Sequence, residues 1–113
     1  MANPPASSIP ERGDICWLDM SPQSGREQAK RRPVLIISPA EFNRIGLCIA
    51  CPITSRNREW PFHIALPNGL STAGFVMTEQ VKSLDYRARN LKFIEKAPLP
   101  IIMRVRQLVQ SYI

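Results

Sequence analysis

The segment "GREQAKRR" (25–32) holds one acid and four bases and leads straight into the apolar run "PVLIIS" (33–38). A guanidinium presents a planar fork of donors that matches phosphate oxygens, and a threonine hydroxyl can donate to another oxygen of the same group. Arg32 stands directly before Pro33, and Thr54 closes a second apolar run, "LCIACPI" (47–53). If the two runs pair as antiparallel neighbours, the start of one lies beside the end of the other, and Arg32 meets Thr54. Such a pair is suited to a phosphate that gains charge in a transition state. A solvated charged loop is the alternative reading of the same residues, because charge runs are usually solvated faces.

Two further polar clusters stand at strand ends, "TSRNRE" (54–59) and "TEQVKSLDYRAR" (78–89). Arg87 and Arg89 alternate, so an extended backbone puts both on one face, as a strip along a phosphate backbone requires. Tyr86 and Trp60 either stack on bases or pack at the rim. Fifteen Lys plus Arg against nine Asp plus Glu give a net charge of +6 and a pI near 9.8, which favours a polyanionic partner such as nucleic acid.

Most familiar catalytic signatures are absent: one histidine, no HExxH, no GxSxG and no glycine-rich phosphate loop among five glycines. His63 lies in the alternating "FHIAL" (62–66) and reads as a solvent-facing residue of an edge strand. "CIAC" (48–51) has half the spacing of a metal knuckle, but no second CxxC exists. Residues three apart on a strand point to opposite faces, so Cys48 and Cys51 read as packing residues. An odd number of cysteines fits a reduced compartment.

The elements that must position these groups are short. A chain of 113 residues fits one domain. Residues 1–11, with three of the eleven prolines, read as a flexible arm, and 12–113 as the domain. Strands are expected at 14–19, 33–38, 47–53, 62–66, 73–81 and 91–95, separated by turn residues such as Pro-Asn-Gly. A helical turn is expected after Ser38, with Ser38 as its cap. From Ile101 the period changes, and Ile101, Ile102, Val105, Leu108, Val109 and Tyr112 mark an amphipathic terminal helix. The pattern predicts a mainly β domain with minor α, a small barrel or curled sheet. No apolar run approaches the roughly 18 residues that cross a bilayer, and the start lacks a secretory pattern, so a cytoplasmic location is expected.

Read in order, "RGDICWLDMSP", "GREQAKRRPVLIISP" with its Gly-x-Glu-Gln and Arg-Pro elements, "CPIT", "WPFHI" and "EQVKSLDYRAR" resemble the MazF/PemK family of toxin endoribonucleases from toxin–antitoxin pairs. The resemblance spans nearly the whole domain. It implies an SH3-like barrel of the type also found in CcdB, forming a homodimer. It implies an mRNA-interferase activity that cuts single-stranded RNA with no metal or cofactor. The substrate's own 2′-hydroxyl is then the nucleophile, and the products carry 2′,3′-cyclic phosphate and 5′-hydroxyl ends. The family's catalytic arginine and threonine fall on Arg32 and Thr54. A guanidinium, with a pKa above about 12, is poorly suited to accept a proton and well suited to stabilising a phosphorane. Glu27 either takes the 2′-hydroxyl proton or orders the loop between the first two strands. On the substrate side the resemblance places Gln28, Lys30, Arg56, Asn57, Gln80, Lys82, Arg87 and Arg89. Gln80 and Lys82 are expected on one face of a strand, with Val81 in the core. An acidic antitoxin is the implied protein partner. Two rival readings remain: a CcdB-like gyrase poison, whose terminal helix carries a tryptophan anchor that this chain lacks, and a non-catalytic nucleic-acid-binding barrel.

Overall fold

Runs of four to eight β-branched and apolar residues bounded by turn signals become strands wherever a neighbour can complete their backbone hydrogen bonds. In the computed structural model, which describes residues 9–20 and 31–113, seven such strands join one antiparallel sheet. They are β1 (Asp14–Asp19), β2 (Arg31–Ile36), β3 (Leu47–Thr54), β4 (His63–Ala65), β5 (Phe75–Met77), β6 (Lys82–Asp85) and β7 (Lys92–Lys96). The order is β4-β5-β3-β2-β1-β7, and β6 pairs with β3 off this path. Helix α1 (Ala40–Asn43) follows β2, and α2 (Leu99–Gln110) ends the fold. β2 is central, and its apolar half, Val34–Ile36, is buried, as expected for the continuously apolar run that follows Arg32.

The longest strand, β3, organises the sheet. One edge pairs with β2 throughout Ala50–Pro52, while the other pairs with β6 at Leu47–Ala50 and with β5 at Ile53 and Thr54. Serving two partners on one edge curls the sheet at the end of β3, where Thr54 lies. The expected single strand 73–81 is therefore broken. Val76 and Met77 finish β5, Thr78–Gln80 form a 3₁₀ turn, and the chain resumes as β6. Buried Thr78 satisfies its hydroxyl on the Phe62 carbonyl at 2.6 Å and on the Tyr112 hydroxyl at 2.6 Å, which a continuous ladder would not allow.

Side-chain alternation divides the core in two. Ile15, Leu35, Cys51 and Ile53 face α2, meeting Ile102, Val105 and Val109. Cys16, Leu18, Val34, Ile36, Cys48 and Ala50 face the other way, against Leu84 and Tyr86. Cys48 and Cys51 thus lie on opposite faces, as their spacing predicts. Burial pushes the thiols of Cys16, Cys48 and Cys51 up to about 12. Since the thiolate is the nucleophile, Ellman's reagent is expected to leave the native protein unlabelled at pH 8 and to label all three cysteines in guanidinium. Labelling of the native state at the unfolded rate would contradict this packing.

The fully buried Asn43 knits the second core together. Its amide donates to the carbonyls of Pro10 (2.8 Å) and Ser38 (3.0 Å), and its own carbonyl accepts from the Tyr86 hydroxyl. Three expectations change here. Ser38 does not cap α1; its hydroxyl donates to the Asn43 side chain and accepts from the Ile49 N–H at 2.8 Å. Pro10 is buried, and Arg12 Nε donates to the Ile37 carbonyl at 2.9 Å, so residues 9–11 of the expected arm are docked on the core. Residues 1–8 lie outside the described residues. Tyr86 is a core residue rather than a stacking platform.

The loop before β5 is held by one carboxylate. Glu95 accepts from the N–H groups of Ser71 (2.9 Å) and Thr72 (2.8 Å) and from the Thr72 hydroxyl (2.7 Å). Desolvation pushes its pKa up, but these three hydrogen bonds outweigh that effect and hold it below the ordinary 4.5. A carboxyl depressed in the folded state stabilises above its unfolded pKa, and that stabilisation disappears as pH falls through the folded value. Glu95→Gln is therefore expected to lower the urea midpoint at pH 7, with the gap to the parent narrowing as pH drops below 4.5. A gap of equal size at pH 3 would contradict the assignment.

Candidate active site

Antiparallel pairing does what the sequence predicts. The register sets Val34 opposite Pro52 and Leu35 opposite Cys51, and just beyond the end of this ladder Arg32 and Thr54 line one cavity. Arg32 is the second residue of β2, also paired with Leu18 of β1, and its half-buried stem is gripped by strands on both sides. Its Nη1 donates to the Ile53 carbonyl at 3.4 Å, which holds the guanidinium beside Thr54, and its other donors have no partner among the described residues.

Thr54 is equally well placed. Its Oγ1 accepts the Arg56 N–H at 3.1 Å, so the hydroxyl proton is left to donate outward. Beneath it, Gly74 lets β5 approach: a Cβ there would lie 2.3 Å from the Thr54 carbonyl oxygen, and the backbone sits at φ +130°. Only glycine fits this contact without displacing Thr54.

Arg32 and Thr54 open into a cavity of about 800 Å³. Among the described residues five cations line it, Arg31, Arg32, Arg56, Arg58 and Lys82, against the single carboxylate of Glu79. Such a cleft concentrates field lines of one sign and favours a polyanion. Among the described residues, no three His, Cys, Asp or Glu side chains gather as a metal site requires.

The expected substrate-side residues divide. Arg56, Gln80 and Lys82 line the cavity. Gln80 and Lys82 reach it from the 3₁₀ turn and the start of β6 rather than from one strand, and Val81 between them, expected in the core, is half-buried against it. Asn57 is not among the lining residues; its side chain accepts the Glu59 N–H at 2.9 Å and shapes the loop. Arg87 and Arg89 do not line the cavity and do not form an extended strip, because residues 86–90 turn. Arg87 lies over the Tyr86 ring at 5.8 Å, and Arg89 donates to the Asp19 carbonyl at 2.8 Å. Glu27, Gln28 and Lys30 lie outside the described residues.

His63 departs from the solvent-facing expectation. Its side chain is 2% exposed, with Nε2 3.0 Å from Glu79 Oε2. Alternation does put it on the face opposite Ile64, but Trp60 and the 3₁₀ turn fold over that face. Arg58, His63 and Glu79 are therefore lining residues that the strand pattern passed over, while Trp60, one of the two aromatics offered for stacking, does line the cavity. Arg56, Arg58 and Trp60 stand two apart, and that i, i+2, i+4 spacing in an extended loop was the signal available.

No helix among the described residues is long and apolar enough to cross a membrane. Comparison with known proteins agrees with the architecture. Residues 11–113 match the family model described as PemK-like, MazF-like toxin of type II toxin–antitoxin system. The endoribonuclease toxin MazF of Escherichia coli K12 is 38% identical over 82 residues, 72% of this chain and 73% of that protein. The Escherichia coli endoribonuclease PemK is 38% identical over 100 residues, 84% of this chain and 75% of that protein. A MazE–MazF structure (Form-II) from Deinococcus radiodurans superposes with a TM-score of 0.87 at 40% identity, over 92% of this chain and 95% of that one. The family model spans all seven strands and the terminal helix, and relatives at 38% identity cover more than two thirds of the chain, so this chain belongs to the PemK-like, MazF-like toxins of type II toxin–antitoxin systems.

Proposed function

We propose that this chain is the toxin endoribonuclease of such a pair. It cleaves single-stranded RNA without a metal, works in the cytoplasm as a homodimer, and is held inactive by an acidic antitoxin. The observation that carries the reading is the meeting of Arg32 and Thr54 at the mouth of a cationic cleft. The relatives are named as endoribonucleases, and a related toxin is solved with MazE.

In this mechanism the RNA supplies its own nucleophile. The 2′-oxygen attacks the adjacent phosphorus, the bond from phosphorus to the 5′-oxygen breaks, and a 2′,3′-cyclic phosphate and a 5′-hydroxyl result. Negative charge grows on the non-bridging oxygens in the phosphorane. The free N–H groups of Arg32 and the outward proton of Thr54 stabilise that charge from fixed positions, with no reorganisation at the moment of reaction. Arg32 also donates to the leaving 5′-oxygen. Glu27 is the candidate to take the 2′-hydroxyl proton. Arg56 and Lys82 hold flanking phosphates, and Gln80 contacts the bases.

The test is cleavage of a 5′-labelled single-stranded RNA of mixed sequence in EDTA. Discrete cuts bearing 2′,3′-cyclic phosphate ends are expected. Intact RNA across several diverse sequences, with binding retained, would sink the catalytic reading in favour of a binding barrel.

A further inference from the structure

His63 has a role that neither Arg32 nor Thr54 requires. An ionised carboxylate only accepts, so the 3.0 Å contact with Glu79 Oε2 places a proton on Nε2. The other ring nitrogen, Nδ1, is buried and has no hydrogen-bond partner among the described residues. A buried unpartnered nitrogen costs stability, and an apolar ring of the same size would not carry that cost. The histidine is thus poorly explained as a core residue.

Its neighbours supply the explanation. The Trp60 ring lies 5.1 Å from the His63 ring at an interplanar angle of 53°, and the Arg58 guanidinium lies 5.2 Å from the same indole. Trp60 nonetheless remains 45% exposed and lines the cleft that contains Arg32 and Thr54. It belongs to the loop 55–62, which has no ladder partner of its own, so its side chain needs a brace to keep one orientation. His63 on β4 is that brace, and Glu79 on the 3₁₀ turn fixes the brace in turn.

We propose that His63 is a positioning residue of the RNA site: with Nε2–H held on Glu79, it supports the Trp60 indole as a seat on which one nucleotide base stacks, beside the phosphate at Arg32 and Thr54. The assignment rests on the endoribonuclease reading above. Stacking on an aromatic ring tolerates any base, so the seat contributes affinity and register while other groups read sequence.

The experiment compares cleavage by the wild type, His63→Phe, Glu79→Ala and Glu79→Gln with thermal stability and Trp fluorescence. His63→Phe keeps the ring's bulk and removes the orphan nitrogen, so its Tm is expected to equal or exceed that of the wild type. Its KM is expected to rise about 10-fold, from weakened stacking of one base, while kcat stays within about 2-fold because the seat does not touch the reacting atoms. Glu79→Ala, altered only at a partly exposed side chain, should show the same KM rise, and Glu79→Gln, which still accepts from Nε2–H, should restore the wild-type KM. Quenching of indole emission by uncleaved 2′-O-methyl RNA should weaken in His63→Phe. Wild-type KM in both His63→Phe and Glu79→Ala would overturn the assignment, as would a lowered Tm in His63→Phe with unchanged KM, the mark of a purely structural residue. If the wild type itself cuts no RNA, the endoribonuclease reading fails first.

Discussion

Arg32→Ala is expected to lower kcat for RNA cleavage by about 10³-fold, the upper range for removing one preorganised donor from a developing oxyanion. The protein should stay folded, because Arg32 is only half-buried and its side-chain hydrogen bond to the Ile53 carbonyl, the one it makes among the described residues, is long at 3.4 Å. KM should change far less, since Arg31, Arg56, Arg58 and Lys82 still line the cleft. Arg32→Lys tests whether charge alone suffices: an ammonium is a point donor without the planar fork, so it should recover little of the loss. Thr54→Val, nearly isosteric, removes the outward proton and should cost about 10²-fold in kcat. Single-turnover cleavage at saturating enzyme measures both. An Arg32→Ala enzyme within threefold of the wild type would remove Arg32 from the transition state. A loss confined to KM, with a lower salt slope, would make it a phosphate contact.

Gly74→Ala is expected to cost about 10²-fold in kcat although residue 74 carries no reacting group, because a misplacement of roughly 1 Å at the reacting centre has that effect. The added methyl would start 2.3 Å from the Thr54 carbonyl oxygen, immediately before Phe75, which pairs with Thr54, so Thr54 must move. A side chain at φ +130° also adds backbone strain, on the order of 1–3 kcal/mol of lost stability. Gly69 separates the two effects. It too has a positive φ, +102°, but a Cβ there meets nothing within 4 Å. Gly69→Ala should therefore show some strain and no loss of kcat. Urea denaturation and single-turnover rates on both variants make the comparison. Equal kcat for Gly74→Ala and the wild type would show that Thr54 does not need its present position.

The part of the site that could be read in advance was the part built by strand pairing. Two apolar runs, each ending in a polar residue, bring those residues together whenever the runs pair antiparallel, and Arg32 and Thr54 meet on that basis alone. The alternation of period two likewise assigned Cys48 and Cys51 to opposite faces. Where the reading failed, it treated an outer face as solvent or a segment as straight. His63 lies on the face expected of it, yet Trp60 and the 3₁₀ turn cover that face. Arg87 and Arg89 were read as alternating on an extended chain, but residues 86–90 turn, and Tyr86 is drawn into the core by the Asn43 carbonyl.

Most of the strands, the two faces of each and the terminal helix were legible in residue type, because they follow from spacings of two or of about 3.6 along a short window, and antiparallel pairing of two apolar runs accounts for Arg32 and Thr54 lining one cavity. Arg56, Gln80 and Lys82 were expected beside those two residues, but the rest of the lining was set by contacts between distant segments. Arg58, Trp60, His63 and Glu79 come from a loop, an edge strand and a 3₁₀ turn whose meeting depends on β3 pairing with β5 and β6 on one edge. Periodicity states which side of a strand a residue is on, whereas what stands on that side is set by contacts between segments far apart in the chain.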